Sequence, residues 1–176
     1  AVLWRRTVPE LEASDGLIER SHELYPALGG RYHGGRKRWT FPSGATITFI
    51  TCEQERDVMK FRGWQFSFLG MDELTTATKK MYEFLISRLR STRGIPKFVR
   101  ATSNPGGDGH KWVLERFAPW LYRDGARMDE YQGPYLQDGQ RAFFYRNGDT
   151  GKDVLCKSSH PDAMGRMYIK SLLKDN

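Results

Sequence analysis

Cysteines, long apolar runs and leader-like features are all scarce in this chain. Its 176 residues include two cysteines, Cys52 and Cys156, which lie far apart and have no zinc-site spacing. No apolar run approaches the roughly 20 residues that a membrane span needs. Residues 1–6 lack the ordered charged and apolar zones of a signal peptide. The sequence therefore predicts no membrane segment and two free thiols in a reducing compartment.

Signatures of metal sites and repeats are also missing. The four histidines are scattered, and no pair has the short spacing of a helical metal site. There is no internal repeat or low-complexity segment, and nothing marks out a nucleophile–base pair. These absences disfavour a structural zinc site and a repeat architecture.

A phosphate-binding loop is absent as well. A P-loop needs Gly-x-x-x-x-Gly-Lys-Ser/Thr between a strand and a helix, because its backbone N–H groups wrap the phosphates. Gly30 and Gly35 have the right separation, but Arg36 stands where lysine belongs and Lys37 stands where the hydroxyl belongs. A hairpin pattern follows where a helix is required. We therefore reject a P-loop at this position.

Basic residues are plentiful. The formal net charge is +7, which favours a polyanionic partner, with nucleic acid as the first candidate. Part of the excess is local, since four cations fall within eight residues that no acid interrupts. They are Arg31, Arg36, Lys37 and Arg38. The run Arg36-Lys37-Arg38 is a candidate DNA-binding patch, and the alternative is a solvated hairpin edge whose charges discourage edge pairing.

Strand and helix patterns alternate along the chain, which favours an α/β fold with a mainly parallel sheet. Strands are predicted at residues 2–4, 37–41, 45–51, 66–71, 98–102 and 141–146. The second and third form a β-hairpin, as an insertion or an antiparallel edge. Helices are predicted at residues 9–24 (with a possible break at Asp15-Gly16), 77–90, 110–122 and 161–173. We interpret residues 1–176 as a single domain in which residues 123–176 are less regular.

Two acids end the apolar run at residues 66–71. Asp72 and Glu73 would then lie at the carboxyl edge of a parallel sheet, where open α/β sheets bind ligands. Such a pair suits nucleotide hydrolysis: Asp72 would hold Mg²⁺ through water, and Glu73 would orient or deprotonate the attacking water. The alternative is a helix N-terminus, where acids favour the positive end of the dipole.

Two further features fit hydrolysis. The end of the next strand carries three polar residues, Thr102, Ser103 and Asn104. If the two strands are neighbours, these side chains lie beside the acids and could sense the γ-phosphate. The alternative is that the residues simply favour a turn. Arg62 precedes Glu73 by eleven residues and could neutralise transition-state charge, in its own subunit or a neighbouring one. An ordinary surface arginine is the alternative.

The order and spacing of five motifs resemble the ATPase domain of a tailed-phage terminase large subunit, the DNA-packaging motor. The motifs are LWRRTVPEL at 3–11, FPSGA at 41–45, KFRG at 60–63, FLGMDEL at 68–74 and ATSNPGG at 101–107. The resemblance covers nearly the whole chain and is weakest from 122 to 153. It implies a three-layer, ASCE-type P-loop ATPase core that uses ATP and Mg²⁺.

The resemblance also implies roles for individual residues. Asp72 matches the Walker B aspartate and Glu73 the catalytic glutamate. The Thr102–Asn104 segment matches the coupling motif that links hydrolysis to movement, and Arg62 matches the arginine-finger position of some members. The implied motor is a ring on the portal protein that works with a small terminase subunit. It moves double-stranded DNA into a procapsid in the host cytoplasm.

The chain also departs from this family. The family's Walker A loop lies just before the strand that Leu3 and Trp4 match, and its nuclease domain lies beyond the ATPase domain. We therefore expect an N-terminally truncated fragment that hydrolyses ATP negligibly by itself. Two alternatives stay open: another ASCE-type translocase or helicase ATPase, and a non-enzymatic basic module that binds nucleic acid.

Overall fold

A computed structural model describes residues 1–91, 94–121, 131 and 133–171. The chain divides into two compact units, Ala1–His110 and Lys111–Asn176. The interpretation of the chain as one domain stays a prediction. Of the helices described, none is both long and apolar enough to cross a membrane.

The first unit is built on a six-stranded sheet. Its strands are β1 (Val2–Arg5), β2 (Arg31–His33), β3 (Arg38–Thr40), β4 (Thr46–Thr51), β5 (Phe68–Met71) and β6 (Phe98–Ala101). They are ordered β2-β3-β4-β1-β5-β6. The pairs β4/β1, β1/β5 and β5/β6 are parallel, whereas β2/β3 and β3/β4 are antiparallel. This arrangement confirms the predicted α/β class, the mainly parallel sheet and the β-hairpin, which lies at the antiparallel side.

Local sequence sets where the first helices begin and end. In α1 (Val8–Glu12), the Thr7 hydroxyl accepts a hydrogen bond from the Glu10 N–H at 3.3 Å, and the Glu10 carboxylate accepts one from the Thr7 N–H at 3.0 Å. This capping box satisfies N–H groups that the first turn leaves unpaired. Asp15 then takes a left-handed conformation at φ 60°. The break separates α1 from α2 (Leu17–Leu24), as the sequence suggested.

Two later helices were also predicted, and the first of them is shorter than predicted. Helix α3 (Lys79–Ile86) begins after Thr78, whose hydroxyl accepts from the Met81 N–H at 3.3 Å. It is shorter than the predicted 77–90, because Leu89 instead forms a parallel bridge to Phe66. Helix α4 (His110–Leu121) follows the predicted bounds as far as residue 121. Residue 122 lies outside the described residues.

The sheet carries a core on each face. Trp4, Ile50 and Met71 lie side by side on β1, β4 and β5, and all three are buried. On the other face, Trp39 and Phe49 pack with Leu11 of α1. Fully burying one such side chain is worth roughly 1.5–3 kcal/mol, so these contacts hold the hairpin and α1 on the sheet.

The second unit contains a three-stranded antiparallel sheet. Its strands are β7 (Ala142–Arg146), β8 (Asp153–Cys156) and β9 (Met164–Arg166), in the order β8-β7-β9. Strand β7 confirms the strand predicted at 141–146. The helix predicted at 161–173 is wrong over its described residues, because Met164–Arg166 pairs with β7 and Gly165, a poor helix former, lies within it. Residues 172 and 173 lie outside the described part.

Trp120, Leu136, Ala142 and Phe144 form the core of this unit. Beside that core, the Asp153 carboxylate is ion-paired with three arginines: Arg166 at 2.7 Å, Arg116 at 3.0 Å and Arg146 at 3.4 Å. Burial alone would raise the pKa of Asp153, but the guanidiniums, Arg166 first, outweigh it and hold that pKa below its ordinary value.

Both cysteines are free thiols, as the sequence predicted. Cys52 is buried in the first unit, and desolvation raises the pKa of its thiol to about 11. Cys156 is half-buried on β8. A thiol with such a raised pKa is a poor nucleophile, because desolvation outweighs the nearby cations Lys60 and Arg6 that would lower the pKa.

Candidate functional site

Asp72 and Glu73 follow β5 directly, at the carboxyl end of the parallel part of the sheet. The Asp72 N–H donates to the Trp4 carbonyl of β1 at 3.0 Å, and the Thr102 N–H donates to the Met71 carbonyl at 3.0 Å. The carboxyl ends of strands β1, β5 and β6 thus lie at the same edge of the sheet. The structure brings the polar residues after β6 beside the two acids, as the sequence analysis anticipated.

The Asp72 carboxylate is held on both sides. Arg5, the last residue of β1, forms an ion pair with Oδ2, and the Thr102 hydroxyl donates to Oδ1. The Arg5 and Asp72 side chains are 25% and 24% exposed, so the pair is partly open to solvent. Each carboxylate oxygen has a second lone pair. Asp72 can therefore accept a further hydrogen bond without losing these contacts.

Glu73 adopts a backbone conformation that is uncommon for a residue with a side chain. Its φ is 54° and its ψ is 59°, in the left-handed region. Such a conformation costs on the order of 1–3 kcal/mol, and residues that carry this strain cluster at functional sites. Neighbouring hydrogen bonds hold it: the Glu73 N–H donates to Thr102 Oγ1 at 3.4 Å, and the Thr76 hydroxyl donates to the Glu73 carbonyl at 2.7 Å.

The Glu73 side chain is bound by the next strand's turn. Asn104 Nδ2 donates to Glu73 Oε1 at 2.9 Å. Thr102 therefore contacts one acid through its side chain, and Asn104 contacts the other. The two carboxylates and these two polar residues form one connected group.

Further hydrogen bonds join the segment after β6 to the short 3-10 helix Leu74–Thr76. The Ser103 hydroxyl accepts from the Thr75 N–H at 3.2 Å, and the Thr75 hydroxyl donates to the Asn104 carbonyl at 2.8 Å. Gly107 lies so close that a Cβ there would sit 2.6 Å from the Thr75 carbonyl oxygen. A displacement of either segment would therefore move the other.

A sequence model of the family described as "Terminase large subunit, T4likevirus-type, N-terminal" matches residues 3–154. The chain belongs to the terminase large subunit family. This match confirms the resemblance carried by the five motifs and connects the chain with viral DNA packaging. No curated protein matches the chain, and no solved structure does either. All the residues of the connected group lie within the matched span.

The sequence analysis missed one residue that contacts this connected group, namely Arg5. The group together with Arg5 is called the terminase site below. Arg5 was noted only as part of the first motif, and its contact with Asp72 depends on β1 lying beside β5. The one signal available was that Arg5 ends an apolar strand, as Asp72 does. The neighbouring Arg6 donates from Nη1 to the Thr76 carbonyl at 3.0 Å, so both arginines contact the segment that follows β5.

Arg62, the candidate arginine finger, is not among the described residues that contact the two carboxylates. It follows the 3-10 helix Glu55–Phe61 and is exposed. Among the residues that the structure describes, its side chain makes no hydrogen bond or ion pair with Asp72 or Glu73. Its role as an arginine finger stays a prediction.

The candidate DNA-binding run lies at the hairpin, and its three cations differ. Lys37 forms an ion pair with Glu12 of α1. Arg38 donates from Nε to the Thr48 hydroxyl at 2.9 Å, whereas Arg36 is exposed. Two of the three side chains are therefore engaged within the terminase fold.

The terminase site offers few protein ligands to a metal ion. Within the described ranges, no group of three or more His, Cys, Asp or Glu side chains is placed to hold one. Magnesium commonly keeps several waters and binds one or two carboxylates plus substrate phosphates. Asp72, partly exposed and with lone pairs remaining, fits that mode of binding.

Proposed function

We propose that this chain supplies the carboxylate side of an ATPase site in a motor that packages double-stranded viral DNA. One observation carries the proposal: Asp72 and Glu73 directly follow the parallel strand β5, and Thr102 and Asn104, which follow the neighbouring strand β6, hold their side chains. A pair of acids at the carboxyl edge of a parallel sheet is the arrangement that nucleotide hydrolysis uses. Membership of the terminase family supports the assignment.

In this proposal Asp72 binds Mg²⁺ through a water molecule. The bound ion would neutralise charge on the ATP phosphates and on the transition state. Arg5 and Thr102 orient the carboxylate by occupying one lone pair on each oxygen. Their role is to fix the direction in which the remaining lone pairs point.

Glu73 orients the attacking water and accepts its proton. A positioned general base contributes about 10²–10⁴-fold to a rate. The left-handed backbone turns the side chain out of the β5 direction, and the Asn104 amide holds one of its oxygens. The other oxygen, Oε2, keeps both of its lone pairs for the water.

Thr102, Ser103 and Asn104 couple hydrolysis to movement. Their side chains contact Asp72, the Thr75 N–H and Glu73, so they span both carboxylates and the segment after β5. A change at the phosphates would alter these hydrogen bonds together. The ASCE-type P-loop fold belongs to this proposal. It is supported by strand β6, which pairs in parallel with β5 and is followed directly by these three residues.

Arg62 acts as an arginine finger on the site of a neighbouring subunit. Its exposure and its lack of contact with Asp72 or Glu73 of its own chain favour action between subunits in a ring. The ring would work on the portal protein with a small terminase subunit, in the host cytoplasm. A head-to-tail contact would bring Arg62 of one subunit to the Glu73 of the next.

The printed sequence contains no P-loop motif, so we propose that these 176 residues alone hydrolyse ATP negligibly. The test uses the full-length gene product and measures Mg²⁺-dependent phosphate release from ATP. The Asp72→Asn variant should lose most of its turnover, whereas Asp149→Asn, at an exposed turn, should match the parent. Full turnover by Asp72→Asn, or robust ATPase activity of the 176-residue chain, would contradict the proposal.

A further inference from the structure

Strand β2 forms the outer edge of the six-stranded sheet, and its two faces differ. Tyr32 packs against the rings of Trp39 and His22, with centroids 5.1 Å and 4.6 Å away. Because side chains alternate along a strand, Arg31 and His33 project from the opposite face. Both are exposed. The edge therefore has an aromatic side that packs on the core and a basic side that faces solvent.

The cations of this edge are not equally available. Lys37 is paired with Glu12, and Arg38 is bound to Thr48. The Arg31 and Arg36 side chains are exposed, and they have no ion pair within the described part of the chain. Arg38 keeps its positive charge but is half-buried, so Arg31 and Arg36 are the two arginines that this edge exposes to solvent.

Gly34 and Gly35 lie between the two arginines. Neither has a positive φ, so their backbone conformation does not require glycine. A Cβ at either position would meet nothing within 4 Å, so packing within the chain does not require glycine either. The absence of side chains leaves this backbone open to close approach by a ligand, which is a recognised use of glycine.

We propose that Arg31, Gly34, Gly35 and Arg36 form a docking surface for the phosphate backbone of double-stranded DNA. The inference rests on the DNA-packaging part of the proposed function and moves the contact from the run Arg36-Lys37-Arg38 to the β2 edge. Guanidinium groups match phosphate geometry with paired donors, and the two glycines let the strand backbone come near. Contacts of this kind position a protein on DNA without reading its sequence.

Edge protection is the competing explanation, since charged residues on an edge strand discourage pairing with other chains. It accounts for the arginines but not for two adjacent glycines that neither conformation nor packing requires. Edge protection also predicts self-association, rather than loss of DNA binding, when the arginines are removed.

The test measures binding of the 176-residue chain to a short fluorescein-labelled duplex by anisotropy, without nucleotide, over a series of KCl concentrations. Arg31→Ala/Arg36→Ala should lower the salt slope of log K by about two, because two phosphate contacts are lost. The matched control, Lys97→Ala/Arg100→Ala, removes the same charge at exposed positions at or beside the opposite edge strand β6 and should keep the parent slope.

A second variant keeps the charge. Gly34→Ala/Gly35→Ala should retain the parent's thermal midpoint, since the space is open, yet bind the duplex about tenfold more weakly. Three results would contradict the proposed surface: an unchanged salt slope in the arginine variant, an equal loss of slope in the β6 control, or no binding of the duplex by the parent. The ATPase assignment does not depend on any of these results.

Discussion

Asn104 Nδ2 donates a hydrogen bond to Glu73 Oε1 at 2.9 Å. This contact joins the proposed general base to the turn that follows β6. It leaves both lone pairs of Oε2 for water, and the left-handed backbone at Glu73 fixes the direction of the bond from Cα to Cβ. The carboxylate is thus positioned by a residue 31 positions away in sequence, and positioning of this kind affects rate more than nucleotide affinity.

Replacing Asn104 should therefore slow hydrolysis and leave ATP binding nearly intact. In the full-length gene product, Asn104→Ala should lower kcat by about tenfold, the equivalent of about 1.4 kcal/mol in the barrier, with little change in KM. Steady-state phosphate release checks this. Gln65→Ala removes an exposed amide just before β5 and serves as the control. A raised KM with unchanged kcat would place Asn104 in binding instead.

Two neighbouring glycines should respond differently to alanine. Gly106 and Gly107 both have positive φ, at 110° and 80°, so either substitution costs backbone strain. At Gly107 a Cβ would also press against the Thr75 carbonyl oxygen at 2.6 Å, whereas Gly106 has open space. Urea unfolding should show Gly107→Ala to be less stable than Gly106→Ala by about 1–3 kcal/mol. Equal stabilities would show that the turn and the 3-10 helix Leu74–Thr76 are not packed this closely.

The Asp153 cluster should make the stability of the second unit depend on pH. Because its pKa is lowered in the folded state, Asp153 contributes stability that is present above its unfolded-state pKa and is lost as pH falls through the lower folded-state pKa. Near neutral pH, Asp153→Asn should destabilise by about 3 kcal/mol, since it removes the carboxylate beside the buried Arg166.

Urea unfolding near pH 7 and near pH 3 measures this effect. Asp149→Asn removes an exposed carboxylate from the β7–β8 turn and should change little at either pH. The difference between Asp153→Asn and the parent should shrink at the lower pH, as the parent's own carboxyl becomes protonated. A difference that stays constant with pH would mean that the charge of Asp153 is not what stabilises the unit.

The sheet and the carboxylate pair were within reach of sequence reasoning. An apolar run that ends in two acids indicates a buried strand, and a polar turn after the next strand predicts a neighbour at the same edge. Both signals are local. The parallel pairing of β5 with β6 brings the acids and the polar turn together, as expected. The hairpin was equally visible, because alternation and a Pro-Ser-Gly turn are short-range features.

Local sequence patterns could not predict the contacts that depend on the order of the strands. Arg5 lies beside Asp72 because β1 inserts between β4 and β5, which no local pattern encodes. Lys37 appeared to belong to an uninterrupted basic run, yet Glu12 neutralises it from 25 positions earlier. The mistaken helix at 161–173 has the same origin, since pairing with β7 overrides the local spacing of apolar residues.

The role of Glu73 is the central claim, and one substitution tests it directly. In the full-length gene product, single-turnover hydrolysis and equilibrium binding of ATP are measured side by side for the parent and Glu73→Gln. The amide keeps the size and the hydrogen bonding of the side chain but cannot accept a proton from water. We predict nearly unchanged ATP affinity and a hydrolysis rate lower by about 10²–10⁴-fold. Hydrolysis at the parent's rate by Glu73→Gln would contradict the account.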